Sequence, residues 1–402
     1  MVGSSCLANS RVFLGAIIAL CVASFLLVSE KTRADILAAP VVAATNSSDY
    51  SLTGSQTLGF VVKDWMTAMY ETRFQDECPA GLNISNDEIW WRKLSKEERS
   101  EFTQDGFLTN LNRWFTAVRR GPNGEDICIN PELITDDPPL LTVEGPVSFG
   151  KNLDGSVEET ATSKSCEHEN FISPAGAPGI DNQMYRLVGC IYGWRDDGVV
   201  EENANEMRRT SGLAMILIEI TGVDDVRNDD EILVTFFRSI DQFPFDSQGR
   251  LLPYSSYRVD YADGKPRYGD SLKGKIVDGV ITTETGDVRL PYYGNYNYMH
   301  PVIRDMSVEL EISDDGANAS GMVYGYYDLE QFLYLIGGLG PVIVTSDFSC
   351  PAFFEAAYRL ADGYPDPDTG ECSHISSAFK INAYSAFVIH PTQTVQTEMT
   401  VR

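Results

Sequence analysis

Three side chains with carboxylate and amide oxygens, Asp181, Asn182 and Gln183, stand side by side in SPAGAPGIDNQMYRLVGC, residues Ser173 to Cys190. Gly176 and Gly179 supply the turns that deliver them. Such oxygens can ligate calcium or hydrogen-bond the hydroxyls of a sugar. The competing expectation is that Asp and Asn bond back to the main chain and pin the entry to a strand ending at Cys190. The pattern favours the turn, because Asx turns are common where loops meet strands.

A second group, Asp224, Asp225, Asp229, Asp230 and Glu231, crowds GVDDVRNDDEI between two apolar runs. Like charges this close repel, and either a divalent cation or Arg227 would relieve them. Calcium is the expected cation, since it takes many oxygens at once. The spacing does not match an EF-hand loop, however, and a solvated acidic hairpin needs no metal. Asp362, Asp366, Asp368 and Glu371 in ADGYPDPDTGEC form a looser version, in which the prolines predict a rigid loop closed by Cys372.

Aromatic chemistry is concentrated in LPYYGNYNYMHP, with Tyr292, Tyr293, Tyr296 and Tyr298. Tyrosines among Gly and Asn stack on a sugar ring or a protein partner, or else cover one another on a hairpin. Two Cys-x-His pairs, Cys166 with His168 and Cys372 with His374, present sulfur and imidazole at a spacing that shares one face of a strand. Zinc or copper would suit four such ligands, but an oxidising compartment removes the thiols. There is no Gly-x-Ser-x-Gly elbow, phosphate-binding Gly-Lys loop or His-Glu-x-x-His pair. No spacing among the acids singles out a pair for glycoside cleavage.

The ends and the composition say where these groups must work. Residues 1–34 read as a secretory signal: Arg11, an apolar run from Val12 to Val28, and small residues at Thr32 and Ala34. The run is at the short edge for a bilayer span, so a retained anchor is the alternative. The formal net charge is −27, which repels nucleic acid and anionic membranes and argues against both as partners. Past the signal the cysteines are Cys78, Cys128, Cys166, Cys190, Cys350 and Cys372. An even count in an exported chain predicts three disulfides, and the spacing suggests neighbours: 78 with 128, 166 with 190, 350 with 372.

Residues 35–57 are a flexible lead-in without periodicity. Residues 58–139 read as a helical subdomain. Val61, Trp65, Met66, Met69 and Tyr70 fall at helical spacing, and Ser95 followed by Glu98 is a capping box. Residues 140–402 carry many short β-branched and aromatic runs punctuated by Gly, Asp, Asn and Pro. In MSVELEIS, Val308, Leu310 and Ile312 alternate with Glu309 and Glu311. One short helix is expected near 351–361, with Pro351 in its first turn. The predicted class is mainly β, an antiparallel β-sandwich or jelly-roll-like domain with the small helical N-terminal subdomain.

The blocks CEHENFISPAGAPGIDNQMYRLVGC, ITGVDDVRNDDEILV and CPAFFEAAYRLADGYPDPDTGECSHISSAFKI resemble segments of a group of exported bacterial proteins without a characterised activity. The resemblance covers most of the chain beyond about residue 60. It implies export, and a secreted or periplasmic location, but no site residue. The function expected from the sequence is disulfide-stabilised, non-catalytic binding of a carbohydrate or a cell-envelope partner, supported by calcium. The alternatives are an extracellular polysaccharide-acting enzyme with Asp181 in acid/base chemistry, or a structural assembly protein of the envelope.

Overall fold

The computed structural model describes residues 55–391 apart from 104–106, 122, 135–136, 197, 295–296, 338–342 and 344–345. The signal segment and most of the lead-in therefore lie outside the described residues. The described residues belong to one compact unit.

Eight strands make its frame: β1 (Gln56–Thr67), β2 (Ile216–Val223), β3 (Asp229–Arg238), β4 (Asp270–Val277), β5 (Val280–Thr283), β6 (Val302–Ile312), β7 (Asn318–Asp328) and β8 (Cys372–Ile389). Each pairs antiparallel with the next, and β1 also pairs with β8, with Val61 opposite Tyr384 and Thr67 opposite Phe379. The sheet thus closes on itself as an eight-stranded up-and-down barrel. This corrects the sandwich or jelly-roll expectation. Alternation along a strand fixes which face is buried, but not whether the last strand returns to the first. Register shifts in β1 between Val62 and Asp64 and in β6 between Arg304 and Ser307 bend the ribbon toward closure. Extra strands flank the barrel: Gly286–Arg289 on β6, and Gly363–Pro365 and Ser255–Arg258 on β8.

The interior is filled by Phe60, Val62, Ile218, Val234, Phe236, Ile281, Val308, Leu310, Val323 and Ile381, all in one buried apolar cluster. A second cluster lies on the other face of β1 and β2, where Val61, Met215 and Leu217 pack under Tyr257, Val259 and Phe243. That covering explains a misreading of the sequence. GFVVKDWMTAM was expected to be helical, but its core is β1, a strand buried on both faces, whose continuous apolar run hides the period of two.

Helices gather at one flank: α1 (Phe74–Glu77), α2 (Asn86–Lys93), α3 (Lys96–Thr103), α4 (Phe107–Val118), α5 (Gln183–Val188), α6 (Val200–Ser211), α7 (Leu329–Gly337) and α8 (Cys350–Arg359). Ser95 and Glu98 form the expected capping box before α3: Glu98 accepts from the Ser95 N–H at 2.7 Å and Ser95 Oγ from the Glu98 N–H at 3.2 Å. Pro351 sits in the first turn of α8 as expected, with Ser349 as N-cap. Helices α7 and α8 pack on β8 through an aromatic group in which the Phe348 and Phe353 ring centroids are 4.6 Å apart.

Three disulfides form, but none joins sequence neighbours. The pairs are Cys78–Cys190, Cys128–Cys350 and Cys166–Cys372, separated by 112, 222 and 206 residues. They staple the helical and irregular segments to one another and to the start of β8, which spacing alone does not encode. The bond between Cys166 and Cys372 also consumes both sulfurs of the Cys-x-His pairs, so the zinc or copper arrangement is not built. Among the described residues no helix is long and apolar enough to cross a membrane. Three disulfides fit an oxidising, extracellular or periplasmic location.

Gly321 in β7 sits tight against β6: a Cβ there would collide with the Glu309 carbonyl oxygen. Gly321→Ala is expected to lower the stability by about 1–3 kcal/mol. An unchanged urea midpoint would show that β6 and β7 can part without cost.

Candidate functional site

The Asp181 triplet is entirely internal. Asp181 is 0 % exposed, and Asn182 and Gln183 are buried with it. One Asp181 oxygen accepts from Leu153 N–H at 2.6 Å, and the other faces His168 Nε2 at 3.0 Å. Asn182 caps α5 by accepting from Tyr185 N–H at 3.2 Å, while its amide donates to the Phe149 carbonyl at 2.8 Å. Gln183 receives Arg186 Nε and donates to the Glu169 carbonyl. The stretch after it is helix α5, not the strand read from RLVGC. With its polar atoms spent on internal main-chain and side-chain partners, the triplet orders the chain against β8, where Ser376 accepts from Gln183 N–H at 2.9 Å.

The partner of Asp181 could not be read from the sequence. His168 Nδ1 lies 2.7 Å from the Cys166 carbonyl and Nε2 points at Asp181, so both ring nitrogens donate and the ring is an imidazolium. Burial pulls its pKa down, but the Asp181 hydrogen bond and the charge of Asp362 outweigh this and lift it to about 9. Asp362 is pushed up to about 7, chiefly by burial. Its Oδ1 accepts from Ser376 N–H at 2.6 Å, while Oδ2 and the nearby Tyr326 hydroxyl have no partner. This is a closed ion pair on the barrel wall, shielded from any substrate.

In the exposed acidic hairpin, two of the acids bond back to the turn's own main chain. Asp229 accepts from the N–H groups of Asp224 at 2.6 Å and Glu231 at 3.0 Å, and Asp225 accepts from Arg227 N–H at 2.8 Å. Asp230 lies on β3 beside them. Among the described residues no group of three or more His, Cys, Asp or Glu could hold a metal ion, so the geometry adds no support to the calcium expectation. Asp366 behaves alike, accepting from Asp368 and Thr369 N–H groups. The tyrosines form the separate hairpin Tyr292–Gly294 with Asn297–Met299. Tyr298 is partly exposed under the Arg238 guanidinium, 5.3 Å from the ring centroid. Tyr292 and Tyr293 are half-buried, and Tyr296 lies outside the described residues.

What the acidic turn does present is Val226 and Arg227, and these lead to an open site. At the end of the barrel where β1 begins, a cavity of about 570 Å³ is lined by Leu58, Phe60, Arg227, Tyr254, Ile312 and Phe387, among others. Three turns rim it: Val226–Arg227, Gly279 and Ser313–Gly316. Arg227 reaches across to Asp314 at 3.7 Å. Tyr254 has a left-handed backbone, φ 55°, which a bulky residue adopts only when its surroundings hold it. Here the Ser385 carbonyl accepts its N–H at 2.6 Å, and the Asp315 carbonyl accepts its hydroxyl at 3.2 Å. The ring is thereby fixed at the mouth, 51 % exposed, with Phe387 at 58 %. Neither Asp181 nor the tyrosine hairpin lines this cavity.

No family model, curated protein or solved structure matches the chain. The mouth therefore stands on its own geometry. Sequence reasoning missed Tyr254 and Phe387 because nothing in LPYSS or SAFVIH marks a ring that fails to find a core. The only available signal was Arg227 among five acids, which read as a counter-ion.

Proposed function

We propose that the protein is an exported, disulfide-stabilised binding protein that takes a hydroxylated ring, a carbohydrate unit, in the open mouth of its barrel. The observation that carries this reading is a barrel packed with apolar side chains that leaves a cavity of about 570 Å³ at one end, within the size of ordinary small-molecule sites. The held ring of Tyr254 and the exposed Phe387 offer stacking faces. Ser313, Asp314, Asp315 and Arg227 surround them with hydrogen-bonding groups. Flat apolar faces edged by polar groups match the two kinds of surface on a sugar. A cell-envelope protein is the second reading, favoured by Phe245, Leu252 and Ile389, which are also exposed in segments that flank Tyr254 and Phe387.

A glycan array probed with the mature protein and with Tyr254→Ala tests it. The expected outcome is binding to a restricted glycan set, weakened at least about tenfold by loss of the ring, a typical anchor cost. Uniformly blank arrays, or equal binding by the variant, would remove the carbohydrate reading.

A further inference from the structure

The barrel end opposite the mouth gathers positive charge in a chain whose formal net charge is −27. The turns at Val226–Arg227, Gly279 and Ser313–Gly316 make the rim of the mouth. Arg238 at the end of β3, Asp270 at the start of β4 and Val302 at the start of β6, which pairs with Arg289, therefore lie at the other rim. Here two tyrosines and an imidazole form one contact group. The Tyr268 hydroxyl bonds His300 Nδ1 and lies 3.3 Å from the Tyr298 hydroxyl. The Tyr298 and His300 ring centroids are 5.0 Å apart. Guanidiniums flank the group, Arg238 at 5.3 Å from the Tyr298 centroid and Arg289 at 5.4 Å from that of Tyr268. Arg289 Nη2 also donates to the carbonyl of Arg267 at 2.6 Å.

Carboxylates answer only part of this charge. Buried Asp260 holds Arg238 through one oxygen and Arg267 Nε through the other, at 3.2 Å. Both of its oxygens are thereby spent. Arg289 has no carboxylate within 4.0 Å among the described residues. Asp270 instead uses Oδ2 on the Arg289 main-chain N–H at 2.8 Å. All three guanidiniums reach His300: burial first, then the charges of Arg289, Arg238 and Arg267, hold its pKa below the usual histidine value. The imidazole is therefore neutral at pH 7 and adds no charge of its own. Arg267, Arg289 and His300 are exposed, so a ligand reaches them from solvent and needs no cavity. Like charges gathered this way repel, and an anion beside them relieves that.

We propose that Arg289, Arg267 and His300 form a binding site for a tetrahedral oxyanion, the sulfate or phosphate group of an esterified ligand. An ester of this kind offers three free oxygens against the two of a carboxylate, which suits the donors of two guanidiniums and an imidazole. His300 Nε2, the nitrogen not taken by Tyr268, has no partner among the described residues. The site shares no residue with the mouth and stands without the carbohydrate reading.

The probe is sodium sulfate against sodium chloride at equal ionic strength, read on the His300 ring signal in NMR spectra of the full mature chain. His300→Gln assigns that signal among the four histidines. Sulfate is expected to shift it saturably and to raise the His300 pKa, because a bound anion offsets the guanidiniums. Arg289→Gln is expected to weaken sulfate binding at least about tenfold. An equal response to the two salts, or undiminished binding by Arg289→Gln, would overturn the proposal. Should that variant fail to fold, the unmodified protein decides: a higher His300 pKa in sulfate than in chloride supports the site, and equal values reject it. Competition by glucose 6-sulfate or glucose 6-phosphate then identifies the ester, whereas competition by neither, or by glucose as well, rejects it.

Discussion

Asp181→Ala is expected to destabilise the protein by about 3–5 kcal/mol, since it strands the His168 imidazolium in a buried site. Urea unfolding at pH 6 measures the loss. The same pair sets a pH dependence. His168 binds its proton more tightly when folded, with a pKa of about 9 against 6.5 for the free ring. Its contribution is therefore complete below pH 6.5 and disappears as the pH rises through about 9. The folded state holds the extra proton in that window, so stability falls with pH, by on the order of 2 kcal/mol after allowing for residual solvent. Asp362, raised by burial to about 7 from 3.8, adds a slope of the same sign at lower pH. Asp181→Asn keeps the shape and should flatten the decline between pH 6.5 and 9. A decline of unaltered steepness in that variant would mean that another group carries the titration. The comparison also bears on catalysis, because a role for Asp181 in polysaccharide cleavage would cost activity without this stability signature.

The second large effect is expected from Cys128→Ala with Cys350→Ala. That bond closes 222 residues, and the chain-entropy model assigns it about 5 kcal/mol. It ties the segment after α4 to the first residue of α8, and both sulfurs are buried. Cys166 and Cys372 are only half-buried, so graded reductant should open their bond first and the Cys128 bond late. Mass mapping of alkylated thiols gives the order, and early labelling of Cys128 would contradict the packing described here.

Much of the framework could be read without coordinates. Cysteine number in a chain with a signal-like start predicted three disulfides, because oxidation depends on compartment rather than contact. The alternation in MSVELEIS predicted β6, and the Ser95–Glu98 and Pro351 signals predicted helix starts, because each rests on residues within one or two turns. GFVVKDWMTAM failed because a strand covered on both faces loses its period. RLVGC failed because Asn182, which caps α5 by accepting from the Tyr185 N–H, reads as a turn into a strand and not as a helix start.

Contacts between distant residues were decided elsewhere. Which cysteine meets which, whether β8 returns to β1, and that His168 rather than a ligand faces Asp181 all depend on chain segments many tens of residues apart. So does the mouth. Tyr254, Arg227 and Phe387 carry no local pattern, and only closure of the barrel brings three turns and two strand ends around one space. Local chemistry determined the elements and the redox state; long-range packing, which no short window of sequence contains, decided the site.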